Sequence, residues 1–362
     1  MDIKTYLQDY SQRADQFLDN FFAEKIKEAK KTGDSGNGLV NVPLEMMSMY
    51  REFMRGGKKL RGALVQLGFL CGGGKNLAAI LPVSVAVEII HGFLLMHDDV
   101  MDQDNLRRGM TTLHKQWEIL SQKKLIKEAN HRHLGESLAY TTGDVGGFLA
   151  MGLIAQAKLS DHKKLTAFTH LSQYLLKTGY GQGLDIVYEV SKHVGEPDVL
   201  RVHLNKTGIY TIPGPLILGG LLAKATTCQL KAMNQYGESV GVAFQLRDDE
   251  LGLFGDEKII GKPTGSDVRE GKNTLLRIKA IELANSQQKR LLQKIYGKQD
   301  LIESDVNLVR DITMKSGALD YSQKLTRTLV AKGKRAIPLI TPNLRYQQLL
   351  LQIADYMITR NK

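Results

Sequence analysis

Apolar residues recur at i, i+3 and i+4 through most of this chain, and period-two alternation is scarce. The pattern predicts an all-α protein. A long amphipathic helix is expected over residues 4–31, stopping before TGDSGNG, and a second from near Pro43. RGGKKLRG (55–62) precedes an apolar run to Gly72. GGGK at 72–75 lacks the four-residue gap and the Ser/Thr of a phosphate-binding loop and reads as a turn. Residues 77–101 form a strongly apolar helix. Helical spacing returns at 136–158 and 162–178, with GYGQGLD (179–185) read as an interruption, and again from about Lys206 to Lys224. Residues 229–254 make a third strongly apolar helix, and GKPTGSDVREGKNT (261–274) a polar loop. The last ninety residues read as three or four amphipathic helices. With no linker or repeat in view, the expected organisation is one domain over 1–362, a bundle of helices. A basic, insertion-like segment lies at about 119–135. Its His131 and His133 have no carboxylate or Cys at ligand spacing, so they read as loop or helix-end residues.

Composition narrows the class. Cys71 and Cys228 both lie in apolar stretches and read as buried, reduced thiols of a cytoplasmic protein. The N-terminal residues hold no apolar signal core. The longest oily stretch is taken as about 209–223. Pro213 and Pro215 interrupt it and it is too short to span a bilayer, so no transmembrane segment is expected. With 49 Lys and Arg against 38 Asp and Glu, the net charge is +11. No dense basic tract with interleaved aromatics, zinc-finger or RNP pattern accompanies it. That excludes nucleic acid as the expected partner and leaves an anionic small substrate.

The candidate chemistry sits in HDDVMDQDNLRRG (97–109), where four aspartates follow an oily helix and two arginines come next. Asp98 and Asp102, four apart, share a helix face. Paired carboxylates cannot be buried dry without a cation or donors. Their hard oxygens suit Mg²⁺, which keeps waters and binds one or two carboxylates plus substrate phosphate oxygens. A solvated face is the competing reading for this cluster alone. Asp248 and Asp249 end a second oily helix, FQLRDD. Two such ends are expected to face one cavity, where Mg²⁺ bridges a diphosphate above apolar walls that hold a hydrocarbon tail. Lys58, Arg61, Arg107, Arg108, Lys206, Lys262 and Lys272 suit phosphate oxygens, each a weak signal alone.

The chain resembles the trans-isoprenyl (polyprenyl) diphosphate synthases. The motifs, in family order, are GGKKLR (56–61), EIIHGFLLMHDDVMD (88–102), LRRG (106–109), GDV (143–145), GQGLD (181–185), KTG (206–208), FQLRDD (244–249) and GKPTGSD (261–267). The resemblance implies an all-α isoprenoid synthase bundle around a deep cavity, a homodimer, and about three Mg²⁺ ions per site. It implies that Lys58, Arg61, His91 and Arg108 bind isopentenyl diphosphate. Asp98 and Asp102 match the first DDxxD motif and Asp248 the second, as metal ligands. Arg107, Lys206, Thr207, Gln245, Lys262 and Lys272 match the allylic diphosphate site, and Gln182 with Asp185 a polar pair nearby. The implied catalytic set is Asp98, Asp102, Arg107, Lys206, Gln245 and Asp248. The second motif reads DDELG, so Gly252 stands where the family commonly has a carboxylate, although Asp256 follows.

The resemblance also bears on product length. Phe93 and Leu94, five and four residues before Asp98, lie about one turn (roughly 5–7 Å) deeper on the helix. Family members that make long chains carry small residues there. The bulky Phe93, together with the absence of the two-residue insertion of bacterial farnesyl diphosphate synthases, points to a C15–C20 product, geranylgeranyl diphosphate ahead of farnesyl diphosphate. A terpene cyclase on the same fold and the partner subunit of a heterodimeric synthase are the alternatives.

Overall fold

A computed structural model describes residues 2–33, 40–124, 129–191, 193–256, 264–298 and 300–360. Among these the secondary structure is helical apart from one two-stranded hairpin. The elements run α1 (Ile3–Thr32), α2 (Val42–Met54), α3 (Leu60–Cys71), α4 (Leu77–Met101), β1 (Leu106–Arg107), β2 (Met110–Thr111), α5 (Leu113–Lys124), α6 (His131–Gln156), α7 (Asp161–Glu189) and α8 (Glu196–Val202). A π-helical turn, His203–Gly208, leads through α9 (Ile209–Thr211) and α10 (Pro213–Leu222) to α11 (Thr227–Phe254). The contacts divide the chain into two compact units. One comprises Lys4–Gln66 and Asn76–Phe168, the other Leu67–Lys75 and Thr169 onward with the extreme N-terminus.

In the first unit, α4 is the central element. Asn76 caps its start by accepting the Ala79 N–H at 3.2 Å. Its residues are apolar on every side, and Ile80, Val83, Val85, Ala86, Ile89 and Met96 are buried. Packing against α6 depends on glycine. A Cβ on Gly146 would stand 2.1 Å from the hydroxyl of Tyr50, a fully buried ring that donates to the Ile89 carbonyl at 2.8 Å. Trp117 of α5 is fully buried and donates to Thr142 of α6 at 3.3 Å. Among the described residues α4 and α6 are long and apolar enough to cross a membrane. This corrects the expectation that 209–223 is the longest oily stretch. In α4 most of that apolar surface is spent on the core, and it also carries buried Glu88 and Asp99.

In the second unit, α11 is the central helix, capped by a Thr226–Gln229 box. Tyr236 is fully buried and donates to the Leu350 carbonyl at 2.7 Å. Three expectations change here. GYGQGLD does not interrupt a helix: α7 runs through it without a break. A Cβ on Gly181 would lie 2.3 Å from the Lys206 backbone nitrogen, so packing with the π-helical turn accounts for this glycine where chain breaking was expected. Among the described residues, the last ninety hold five helices of nine residues or more (Leu275–Leu283, Ser286–Ile295, Glu303–Lys315, Ala318–Lys334 and Leu344–Thr359), where three or four were expected. Caps at Thr274, Asn285 and Asn343 and the left-handed Gly317 (φ 83°) cut the run. Cys71 is buried, and burial pushes its thiol up to about 12. Cys228, in the first turn of α11, is exposed rather than buried.

Candidate active site

The first unit gathers cations around the end of α4. Asp102 closes the last turn, its N–H bonding the Asp98 carbonyl at 2.8 Å, so both carboxylates project from one helix end. The chain then doubles back in a hairpin pairing Leu106 with Thr111 and Arg107 with Met110. Arg108 (φ 53°) and Gly109 (φ 75°) occupy its turn, the left-handed pair of a type I′ turn. The hairpin sends the two arginines to different places. Arg107 pairs through Nε with the fully buried Asp99, its Nη2 3.9 Å from Asp98. Arg108 lies against the GGKK loop, where a Cβ on Gly57 would stand 3.2 Å from its Nη1. Gly57 (φ 74°) and Gly56 (φ 71°) are left-handed and allow that approach.

Behind this loop stand Arg61, buried at 8% exposure, and Glu88, at 4%. Glu88 accepts the Gly62 N–H at 2.6 Å; burial raises its carboxyl, opposed by that bond and by the charges of Arg61, Lys59 and Arg108. Burial, and then the charges of Arg61, Arg108 and Arg107, push the His91 imidazole well below its ordinary value, so the ring is neutral. Arg61, His91 and Arg108 are thus brought within electrostatic reach of one another, with the exposed Lys58 on the same loop. Its neighbour Lys59 turns the other way, bonding Asp15 at 2.6 Å.

The second unit holds the other candidates. Lys206 lies on the π-helical turn and binds Asp185 of α7 at 2.6 Å; Thr207 follows it, and Gln182 sits one turn before Asp185. Gln245 donates to the buried Asp249 at 3.1 Å, and His203 Nε2 lies 3.1 Å from the same carboxylate. Asp248, 37% exposed, pairs with Arg360, whose guanidinium stacks over Phe244 at 4.0 Å. Arg247 donates to the Arg360 carbonyl at 3.2 Å. Lys272 pairs with Glu270 at 2.8 Å. Lys262 lies outside the described residues. A Cβ on Gly252 would stand 3.2 Å from the Asp267 carboxylate, so an acidic group of the GSD motif occupies the neighbourhood of the missing side chain. Asp267 and Arg360 were not singled out from the sequence. Asp267 was legible within GKPTGSD, whereas nothing local ties Arg360 to a residue over a hundred positions earlier.

Among the described residues no three His, Cys, Asp or Glu side chains converge as a metal cage. Asp98 and Asp102 offer hard oxygens from one helix end, both partly exposed. That donor set fits Mg²⁺ or Ca²⁺ shared with a substrate's oxygens, and it lacks the Cys and His of a closed zinc site.

Acidic helix ends, with guanidinium groups and a neutral imidazole gathered beside one of them, define an all-helical protein equipped for metal-bound anions. The chain belongs to the polyprenyl synthetase family, whose sequence profile matches residues 44–312. It is 34% identical to the geranylgeranyl diphosphate synthase of Methanosarcina mazei over 306 residues, 84% of this chain and 86% of that one. It is 32% identical to the geranylgeranyl diphosphate synthase of Sulfolobus acidocaldarius, covering 85% of this chain and 88% of that protein. The crystal structure of geranylgeranyl pyrophosphate synthase from Corynebacterium glutamicum, complexed with isoprenyl diphosphate and magnesium, superposes with a TM-score of 0.89 at 26% identity. The match covers 99% of this chain and 100% of that one. The fold is the all-α isoprenoid synthase fold.

Proposed function

We propose that the chain is a prenyltransferase joining isopentenyl diphosphate head-to-tail to dimethylallyl, geranyl or farnesyl diphosphate, with geranylgeranyl diphosphate as product. The carrying observation is the gathering of Arg61, His91 and Arg108 beside the first acidic helix end. A cyclase, which takes one diphosphate, has no use for this second anion subsite. Lys58, Arg61 and Arg108 hold the isopentenyl diphosphate, and neutral His91 donates to it without adding charge. Asp98 and Asp102, with Asp248, hold divalent metal, Mg²⁺ in the cell and three ions in number. Bound there, such ions would supply positive charge to a departing diphosphate. Arg107, Lys206, Thr207, Gln245, Lys262 and Lys272 serve the allylic diphosphate, with Asp185 and Glu270 steadying the two lysines beforehand. For Asp248 to take metal, its pair with Arg360 has to open. Apolar walls exclude water from the allylic cation, the double bond of isopentenyl diphosphate attacks it, and the proton then lost passes to the released diphosphate. The reading spans residues 1–362 as one functional domain in the cytoplasm.

Incubation of the purified chain with labelled isopentenyl diphosphate and each allylic diphosphate tests this. Elongated C20 product that vanishes on chelation and returns with Mg²⁺ is expected. A product formed equally without isopentenyl diphosphate reveals a cyclase, and no product from the isolated chain reveals a partner-dependent subunit.

The same reading includes a homodimer. On α6, Phe148 and Met151 are exposed. On α7, Leu176, Tyr180 and Val187 are exposed along one face. Sedimentation equilibrium is expected to give about twice the 40.3 kDa chain mass; a monomer mass at micromolar concentration rejects the dimer.

A further inference from the structure

We propose that His97 sets product length by positioning Phe93, holding the Phe93 ring over a glycine track on α6. This deepens the proposed function and rests on it.

His97 follows Phe93 by four residues, one turn along the same face of α4. Their rings meet edge to face, 4.7 Å between centroids at 81°. On its other side the His97 ring meets Tyr140 of α6 edge to face, at 5.0 Å and 88°. Nε2 lies 3.1 Å from the Tyr140 carbonyl oxygen and 3.3 Å from the Asp144 carboxylate. Both oxygens accept only, so Nε2 carries a proton and the ring orientation is fixed. Beneath lies Gly143. A Cβ there would stand 2.6 Å from His97 Cδ2 and 3.4 Å from Phe93 Cδ2. One turn on, a Cβ on Gly147 would reach Phe93 Cδ1 at 4.0 Å. The two rings therefore lie side by side over Gly143 and Gly147.

Phe93 alone is a bulky side chain on a helix and can change rotamer. With His97 pinned against it, the space into which it could turn is filled. A growing tail that meets Phe93 meets a held ring. Remove the imidazole and Phe93 gains a ring-sized space, so the obstacle yields.

The experiment uses the full chain with Mg²⁺, isopentenyl diphosphate and farnesyl diphosphate, with products sized after dephosphorylation. His97→Gln keeps a donor for the Tyr140 carbonyl and removes the ring. Its ratio of products longer than wild type is expected to rise at least about tenfold, the scale of relieving a packing clash. Phe93→Ala is expected to lengthen products as well, and Phe93→Ala/His97→Gln to match Phe93→Ala alone, because His97 acts through Phe93. Product length is normalised to turnover, so a slower rate next to Asp98 does not enter. Asp144→Asn, at a half-exposed carboxylate, weakens the same brace and is expected to lengthen products less. Unchanged length in every active His97 and Asp144 variant overturns the proposal, as does further lengthening in the double variant. A wild-type chain that elongates nothing refutes the proposed function instead, a result distinct from active variants with unchanged products.

Discussion

Asp98→Asn is expected to lower kcat roughly a hundred- to ten-thousand-fold while leaving the fold in place. The carboxylate projects from the last turn of α4, 25% exposed, with Arg107 Nη2 3.9 Å away. An ion pair that long and partly solvated contributes little to stability, on the order of 1 kcal/mol or less. The amide keeps the shape and removes the charge that a divalent cation needs. Steady-state rates over an Mg²⁺ titration, with thermal melts of the same protein, separate the two effects. The expected signature is a large fall in kcat that excess Mg²⁺ recovers only in part, with a melting temperature close to wild type. Full turnover with unchanged Mg²⁺ dependence removes Asp98 from the metal site. Asp248→Asn is expected to behave alike in rate but not in structure, because it also releases Arg360 from its pair.

The parts of the site that were legible in the sequence are those built within one helix or one turn. The bounds of α4 follow from a predominantly apolar run between Asn76 and the aspartates, and the structure places them at Leu77 and Met101, as expected. The resemblance assigns Arg107 and Arg108 to two different diphosphates, and the structure sends their side chains to different neighbours, Asp99 and the GGKK loop. The cause is the type I′ turn at Arg108–Gly109, a geometry that LRRG alone does not announce. The misreading at 179–185 has the opposite origin. Glycine spends helix propensity of about 1 kcal/mol each, and three in five residues look like a break. What sequence periodicity cannot register is a second backbone pressed against Gly181. Arg360 on Asp248 and Asp267 beside Gly252 are likewise products of chain return. They show that the apparent gap in the second motif is a gap in one helix turn, with a carboxylate from the short helix Ser266–Glu270, where the sequence suggested only a polar loop, standing close by.

Arg107→Ala is expected to destabilise the metal-free protein by about 3–5 kcal/mol at pH 8, and by much less at pH 5. Asp99 is fully buried, and its Oδ2 has no hydrogen-bond partner among the described residues. Burial pushes its carboxyl up to about 7, with Arg107 opposing. The native state therefore keeps a proton that the unfolded chain, at an ordinary aspartate value, has released. Stability from this group is full below about pH 4 and is lost as pH rises towards 7. Without Arg107 the opposing charge is gone and the carboxyl rises further, so the loss continues above pH 7. The gap between variant and wild type then widens with pH. At pH 5 both proteins hold Asp99 largely neutral, and the missing guanidinium matters less. Denaturant midpoints in EDTA from pH 5 to 9 measure the gap directly; EDTA keeps a bound cation from standing in for the arginine. A gap independent of pH contradicts the assignment of the cost to a buried, ionised Asp99. Asp99→Asn in the Arg107→Ala background supplies the converse result: it is expected to recover most of the stability at pH 8 and none of the turnover, because the buried charge is gone while the arginine proposed for the allylic diphosphate remains absent.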